Sequence, residues 1–390
     1  QAWFNRVVLS NRVLVWFGLI SFPLYLWHWP LLSFARIIES ETPTRGIRLA
    51  AVALAVLLAW LTYRLIEKPL RFGKQGSAKT IMLMVLMGAV GFAGYNDYKR
   101  DGLEFRTRLL EQQRAQFEWT LYSESICMRT YSDLAAMSAR FCMQSQVGTP
   151  TVLLLGDSHS NHLYPGLAEA IGANTILANF SGVGGLPFID AVVTFDGHKD
   201  AGVEITNYAF SFAEKSLSVH TVIIAARGPL YLSGVGFGTV DIHLAEILRL
   251  QGSPEISSSA EVYAIAMRQT LARLLAKGKK IIYVLDNPEL GFDPKVCVDS
   301  RPLLLRSKIK TPCAVSRKEF DERNREYREL VFSVLKDFPT VQVFDAAAQL
   351  CDDNWCWAMK DGKMLYRDDD HLSIEGSRYL AKELVKLITP

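Results

Sequence analysis

No cysteine occurs before residue 127, and no Cys-x-x-Cys pair occurs anywhere in the 390 residues. The second absence argues against a zinc centre of the usual spacing, and no metal is expected. There is also no basic block: 43 Lys and Arg stand against 40 Asp and Glu, so nothing resembles the charged stripe that nucleic acid requires. An initiator Met is missing. A secretory leader is missing too, because the first apolar run lacks a small-residue cleavage site and further runs follow it. Gln1 is therefore read as a cut point with protein in front of it. At this length, two or three structural units are expected.

What the first hundred residues do have is apolar length. Val13–Ile38, Ile47–Ile66 and Thr80–Tyr95 are candidate membrane spans, the first carrying Pro23, His28 and Pro30. Arg64, Lys68, Arg71, Lys74 and Lys79 face a single acid, Glu67, between the second and third spans. The positive-inside rule places that loop in the cytoplasm and everything beyond Tyr95 outside it. His28 is an intramembrane ionisable residue flanked by Trp27 and Trp29, and so a membrane-domain candidate. Glu67 and Arg64 are read as a possible helix-holding ion pair.

All six cysteines lie in the exported part, as disulfides in an oxidising compartment would. Six allow 15 pairings. Sequence neighbours are the cheapest choice: Cys127–Cys142, Cys297–Cys313 and Cys351–Cys356. The first two bridges would each contribute roughly 3 kcal/mol by loop closure.

Lys99–Ala115 is charged with a helical period and reads as a connector. From Thr151 strands and helices alternate. Short Val/Ile/Leu-rich runs at Thr151–Leu155, Thr175–Asn179, Thr221–Ala226, Lys280–Asp286 and Val341–Phe344 fit strands buried on both faces. Helices are expected at Asn161–Ile171, Asn207–Ser216, Ala260–Ala276, Lys318–Lys336 and Ile374–Ile388. The pattern predicts an α/β doubly wound parallel sheet of about five strands, with ligands at the strands' carboxyl ends.

The reactive residues fall at those ends. "GDSH" places Ser158 after the first strand, where a helix N-terminus can face an oxyanion. "NFSGVGGLP" (179–187) follows the second, "AARGPLY" (225–231) the third, and "YRDDDHLSIEGSRYL" (366–380) precedes the last helix. A serine nucleophile needs a base, and the base needs an acid to fix its tautomer; Ser158, His371 and Asp368 supply those roles. Asp369 and Asp370 read as a solvated acidic run. His159 and His162 read as first-turn packing or substrate hydrogen-bonding residues, and His198, His220 and His243 as surface residues.

These blocks, in this order, resemble the SGNH (GDSL-like) hydrolase family over Thr151 to Pro390. The resemblance implies backbone oxyanion donors at Ser158 and Gly182. The family's Asn after the third strand is absent; Ala226-Arg227-Gly228 stands there, which makes Arg227 a candidate donor or substrate-binding residue. "ISFPLYLWHWPLL" (20–32) and "YRLIEKPLR" (63–71) resemble the last core spans of membrane acyltransferase-3 enzymes, which O-acylate surface glycans. One branch of that family carries an extra span and an exported SGNH domain, the bacterial O-antigen acetylases being most similar.

The layout implied is 1–72 as last core helices, 73–98 as an extra span, 99–150 as a periplasmic linking region and 151–390 as the SGNH domain. The function implied is O-acetyl transfer to a bacterial surface polysaccharide, most simply lipopolysaccharide O-antigen, at the inner membrane. Acetyl-CoA would be the donor, used by membrane spans outside this sequence, with no cofactor bound. The partners implied are a glycan acceptor and membrane lipid. A periplasmic acetyl esterase, or a catalytically silent glycan-binding module, remains an alternative reading of the same residues.

Overall fold

The computed structural model describes residues 10–39, 42–72, 76–100, 115–118, 123–137, 140–193, 202–238, 248–253, 256, 258–298 and 309–388. Residues 101–114 of the expected connector lie outside these, as do His198 and His243. The chain divides into two compact units, one containing the apolar helices and the other the α/β fold.

The first unit contains three helices, each long and apolar enough to cross a membrane: α1 (Arg12–Glu39), α2 (Arg45–Thr62) and α3 (Gly76–Lys99). α1 is unbroken through Pro23 and Pro30. Thr44 caps α2, which continues as a π-helical turn over Tyr63–Glu67 and a short helix over Lys68–Phe72. Ala55 and Ala59 on α2 and Ile20 on α1 are buried, and Trp27 donates from Nε1 to Thr62 Oγ1 at 2.9 Å. Small residues at such a contact let helices approach closely. The expected Arg64–Glu67 pair does not form. Glu67 accepts from Arg71 one turn on (3.0 Å), while the Arg64 guanidinium lies over the Trp60 ring. His28 is half-buried, and its Nδ1 donates to the Leu24 carbonyl at 3.0 Å.

The second unit is built on a six-stranded sheet: β1 (Arg140–Gln144), β2 (Val152–Gly156), β3 (Leu177–Gly182), β4 (Thr221–Ala225), β5 (Lys280–Leu285) and β6 (Gln342–Asp345). The spatial order is β1-β3-β2-β4-β5-β6, parallel throughout except for β1 at one edge. Successive residues of a strand point to opposite faces, and both sets here are apolar. Leu153, Leu155, Val222, Ile224 and Ile281 pack under α5 (Val203–Lys215), α6 (Ser259–Ala276) and α7 (Arg317–Leu335). Val152, Leu154, Ile223, Ile282 and Val284 pack under α4 (Ser158–Ala170) and α8 (Ile374–Ile388).

The sheet starts before residue 151, the boundary expected for the domain. β1 pairs with β3 along its whole length, and the Cys127–Cys142 bridge fastens the preceding segment to it. The sequence "RFCMQ" has a charged and a polar end, so it lacks the continuous apolar run of the inner strands. Cys297–Cys313 and Cys351–Cys356 are the other two disulfides. Gly156 ends β2 where an added Cβ would collide with the Ala225 carbonyl, so β2 and β4 approach there as only glycine permits.

Candidate active site

Strand β2 passes into α4 through Asp157 and Ser158. The helix starts at Ser158, three residues before the expected Asn161, because Asp157 is its N-cap and accepts from the His159 N–H at 2.8 Å. The other Asp157 oxygen accepts the Arg227 N–H (3.0 Å) and the Tyr231 hydroxyl (2.8 Å), tying in the loop after β4. Ser158 is therefore the first helical residue, set at the carboxyl end of the sheet.

The loop before α8 brings His371 to it. Nε2 of His371 lies 2.7 Å from Ser158 Oγ, and Nδ1 lies 3.0 Å from both Asp368 oxygens. Asp368 also accepts the backbone N–H of His371 at 2.7 Å, which fixes the turn that carries the ring. With Nδ1–H donated to a carboxylate, Nε2 is left as the acceptor for the serine hydroxyl. Asp368 and His371 are partly exposed, so the reacting end of this cluster meets solvent.

Asp370 overturns the expectation of a solvated acidic run. It is buried, with Oδ1 2.9 Å from His371 Nδ1 and Oδ2 2.7 Å from the Arg227 guanidinium and 3.3 Å from His159 Nε2. Burial would raise its carboxyl, but the charges on His371, His159 and Arg227 outweigh that and hold it well below the usual range. Its neighbour Asp369 is pushed up to about 7, by burial first and then by Asp370 and Asp368. For His371, burial opposes the charged form, yet Asp370 and Asp368 raise its pKa above the ordinary 6.5.

Arg227 is not presented to a substrate. Its side chain is buried, held by Glu289 (2.5 Å) and Asp370 (2.7 Å), and Glu289 in turn pairs with Arg323 at 2.6 Å. The N–H groups of Arg227 and Gly228 are also taken, by Asp157 and by Asp286 (3.1 Å). The block that departs from the SGNH pattern thus supports the site from beneath. Gly182 ends β3, the strand beside β2, and is buried. The neighbouring Ser181 Oγ lies 2.7 Å from Ser160 Oγ on α4.

His159 and His162 are both buried, the first between two carboxylates and the second accepting the Leu372 N–H at Nδ1 (3.3 Å). Burial drives the His162 pKa well below 6.5, so that ring is neutral. His220 is exposed. His159, Asp370 and His371 offer ligand atoms within 4.8 Å of one another, a span that a cation could bridge. Asp370 faces Arg227 and His159 there.

A parallel doubly wound sheet with serine, histidine and carboxylate gathered at the strands' carboxyl ends defines an SGNH-type α/β domain. The model of the SGNH domain fused to AT3 domains matches residues 127–386, and the chain belongs to that family. A stretch of 73 residues is 36% identical to Staphylococcus aureus proteins, from strains COL and N315 among others, that carry the provisional name O-acetyltransferase. That stretch is 18% of this chain, and the chain spans only 12% of the length of those relatives. Among solved structures, the periplasmic domain of a Salmonella ser. Paratyphi A lipopolysaccharide acetyltransferase aligns with 73% of this chain and 96% of its own. It does so at 13% identity and a TM-score of 0.44. A carbohydrate acetylesterase family member from Sinorhizobium meliloti aligns with 62% of this chain and 97% of its own, at 13% identity and a TM-score of 0.31. The family model, not these distant alignments, places the chain.

Proposed function

We propose that the protein is a bacterial membrane O-acetyltransferase whose SGNH domain passes acetyl to a glycan hydroxyl through Ser158. The observation that carries this reading is the contact between His371 Nε2 and Ser158 Oγ at 2.7 Å, with Asp368 at 3.0 Å on the far side of the ring. Ser158 attacks the acetyl carbonyl while His371 takes its proton and Asp368 orients the imidazole. The N–H groups of Ser158 and Gly182 stabilise the tetrahedral oxyanion, and its collapse breaks the bond to the group that carried the acetyl, which departs with the proton from His371 and leaves acetyl-serine beside a neutral imidazole. A sugar hydroxyl, deprotonated by His371, then attacks the acetyl-serine carbonyl, and the Ser158 oxygen leaves with the proton from His371.

The family's fusion to AT3 domains and the three apolar helices support a membrane setting. In the proposed layout, residues 1–72 close an AT3 core that draws acetyl from cytoplasmic acetyl-CoA. Residues 73–98 form an extra span, and the SGNH domain lies in the periplasm over the inner membrane. The acceptor proposed is lipopolysaccharide O-antigen.

The test is surface-glycan acetylation, read by NMR, in cells carrying Ser158→Ala protein at parental membrane levels. Loss of acetyl groups is the expected result. An increase would instead identify an esterase that trims acetyl groups, and an unchanged level would remove Ser158 from the chemistry altogether.

A further inference from the structure

Asp370 presents a problem that the proposed mechanism leaves open. A histidine base flanked at Nδ1 by two carboxylates, Asp368 and Asp370, would already be doubly protonated at neutral pH, with no lone pair left at Nε2 to take the Ser158 proton. We propose that His159 is a positioning residue held as a buried imidazolium, and that its charge, with that of Arg227, offsets Asp370 so that His371 remains a usable base. This rests on the proposed role of His371.

The geometry of the His159 ring carries the inference. Nδ1 lies 2.7 Å from Asp286 and Nε2 lies 3.3 Å from Asp370, with the side chain 2% exposed. A neutral imidazole has one N–H and would turn a lone pair toward one of those carboxylates; only the doubly protonated ring satisfies both. Burial opposes that charge, but Asp286 and Asp370 outweigh it and hold the His159 pKa well above 6.5. The ring centroid is 5.0 Å from that of His371, within direct electrostatic reach.

The surrounding charges close the account. On the loop of His371 itself lie Arg367, with Nε 3.5 Å from Asp368, and the three aspartates. From α4 come Ser158, His159 and the neutral His162. The loop after β4 supplies Arg227, the segment after β5 supplies Asp286 and Glu289, and α7 supplies Arg323. Arg323, Arg227 and His159 thus stand among Glu289, Asp370 and Asp286; Asp157 at the start of α4 also favours the His159 charge and is held by the Arg227 N–H and the Tyr231 hydroxyl, and Arg367 lies beside Asp368, which orients His371.

The whole chain, purified in detergent with ¹⁵N-labelled histidine rings, allows a direct test. His159 should show two protonated ring nitrogens across the neutral range while His371 titrates; a neutral His159 at pH 7 overturns the inference. In His159→Gln, the pH midpoint for organophosphonate labelling of Ser158 should rise by about two units. That is the size expected for losing a charge 5.0 Å away at an effective dielectric of about 20. A merely structural role would lower the labelling plateau and leave the midpoint in place. If that variant does not fold, the ring spectra of the parent protein decide. A parent whose Ser158 resists labelling at every pH sinks the catalytic reading and this role with it. Reactive Ser158 beside a neutral His159 sinks only this one.

Discussion

Asp157 should be the most consequential residue of the site that takes no part in bond making. It is 1% exposed, and its two oxygens accept three donors: the N–H of His159, the N–H of Arg227 and the hydroxyl of Tyr231. Asp157→Ala strands all three in the interior. A buried donor without a partner costs about 1–3 kcal/mol, so with some relaxation the loss should total about 4 kcal/mol. For an α/β unit of this size, that lowers Tm by about 8–16 °C. Asp157→Asn is gentler. Its remaining oxygen still caps α4, and its amide can donate to the Tyr231 oxygen once that hydroxyl turns. Only the Arg227 N–H then faces another donor, for a loss of about 2 kcal/mol. Thermal unfolding of the purified chain, followed by near-UV circular dichroism, should rank parent, Asn and Ala in that order. An Asn variant as unstable as Ala, or an Ala variant within about 1 kcal/mol of the parent, would refute the assignment of these three bonds.

Three further outcomes follow from other contacts. Organophosphonate labelling of Ser158 requires neutral His371, whose pKa is raised; reactivity should therefore rise with pH through a midpoint above 6.5 and be lost below it, and a midpoint below 6 would contradict the pairing with Asp368 and Asp370. Gly166→Ala should destabilise the α/β unit by about 1–3 kcal/mol in denaturant titration, because its Cβ would run into the Ser377 backbone where α4 crosses α8. Removing both Cys127 and Cys142 as alanines should cost about 3 kcal/mol for the loop of 15 residues they close, checked by unfolding with and without reductant.

The inner strands were legible because they are short continuous runs rich in Val, Ile and Leu, the closing helix because its apolar residues recur with a helical period, and Ser158, Asp368 and His371 because each sits at a strand end or before a helix. Strand β1 was not legible: its five residues carry Arg140 and Gln144 at the ends instead of a continuous apolar run, and its partner β3 lies downstream. The role of Asp370 was hidden for a different reason. Three consecutive aspartates look solvated until Arg227, 143 positions earlier, and His159 on another helix close over one of them. Arg227 misled in the same way, since nothing local reveals that Glu289 claims its guanidinium. Charge pairing across the sheet is long-range information, and spacing within a motif does not contain it.

The two ends of the Ser158–His371 contact are 213 residues apart in the chain. At synthesis rates of about 5–20 residues per second, the serine emerges roughly 10–40 s before its histidine is made. Under the proposed reading, the nascent chain carries an unactivated hydroxyl throughout that interval. The long loop in sequence then acts as a timer, and under that reading any truncation ahead of residue 371 leaves the serine inert.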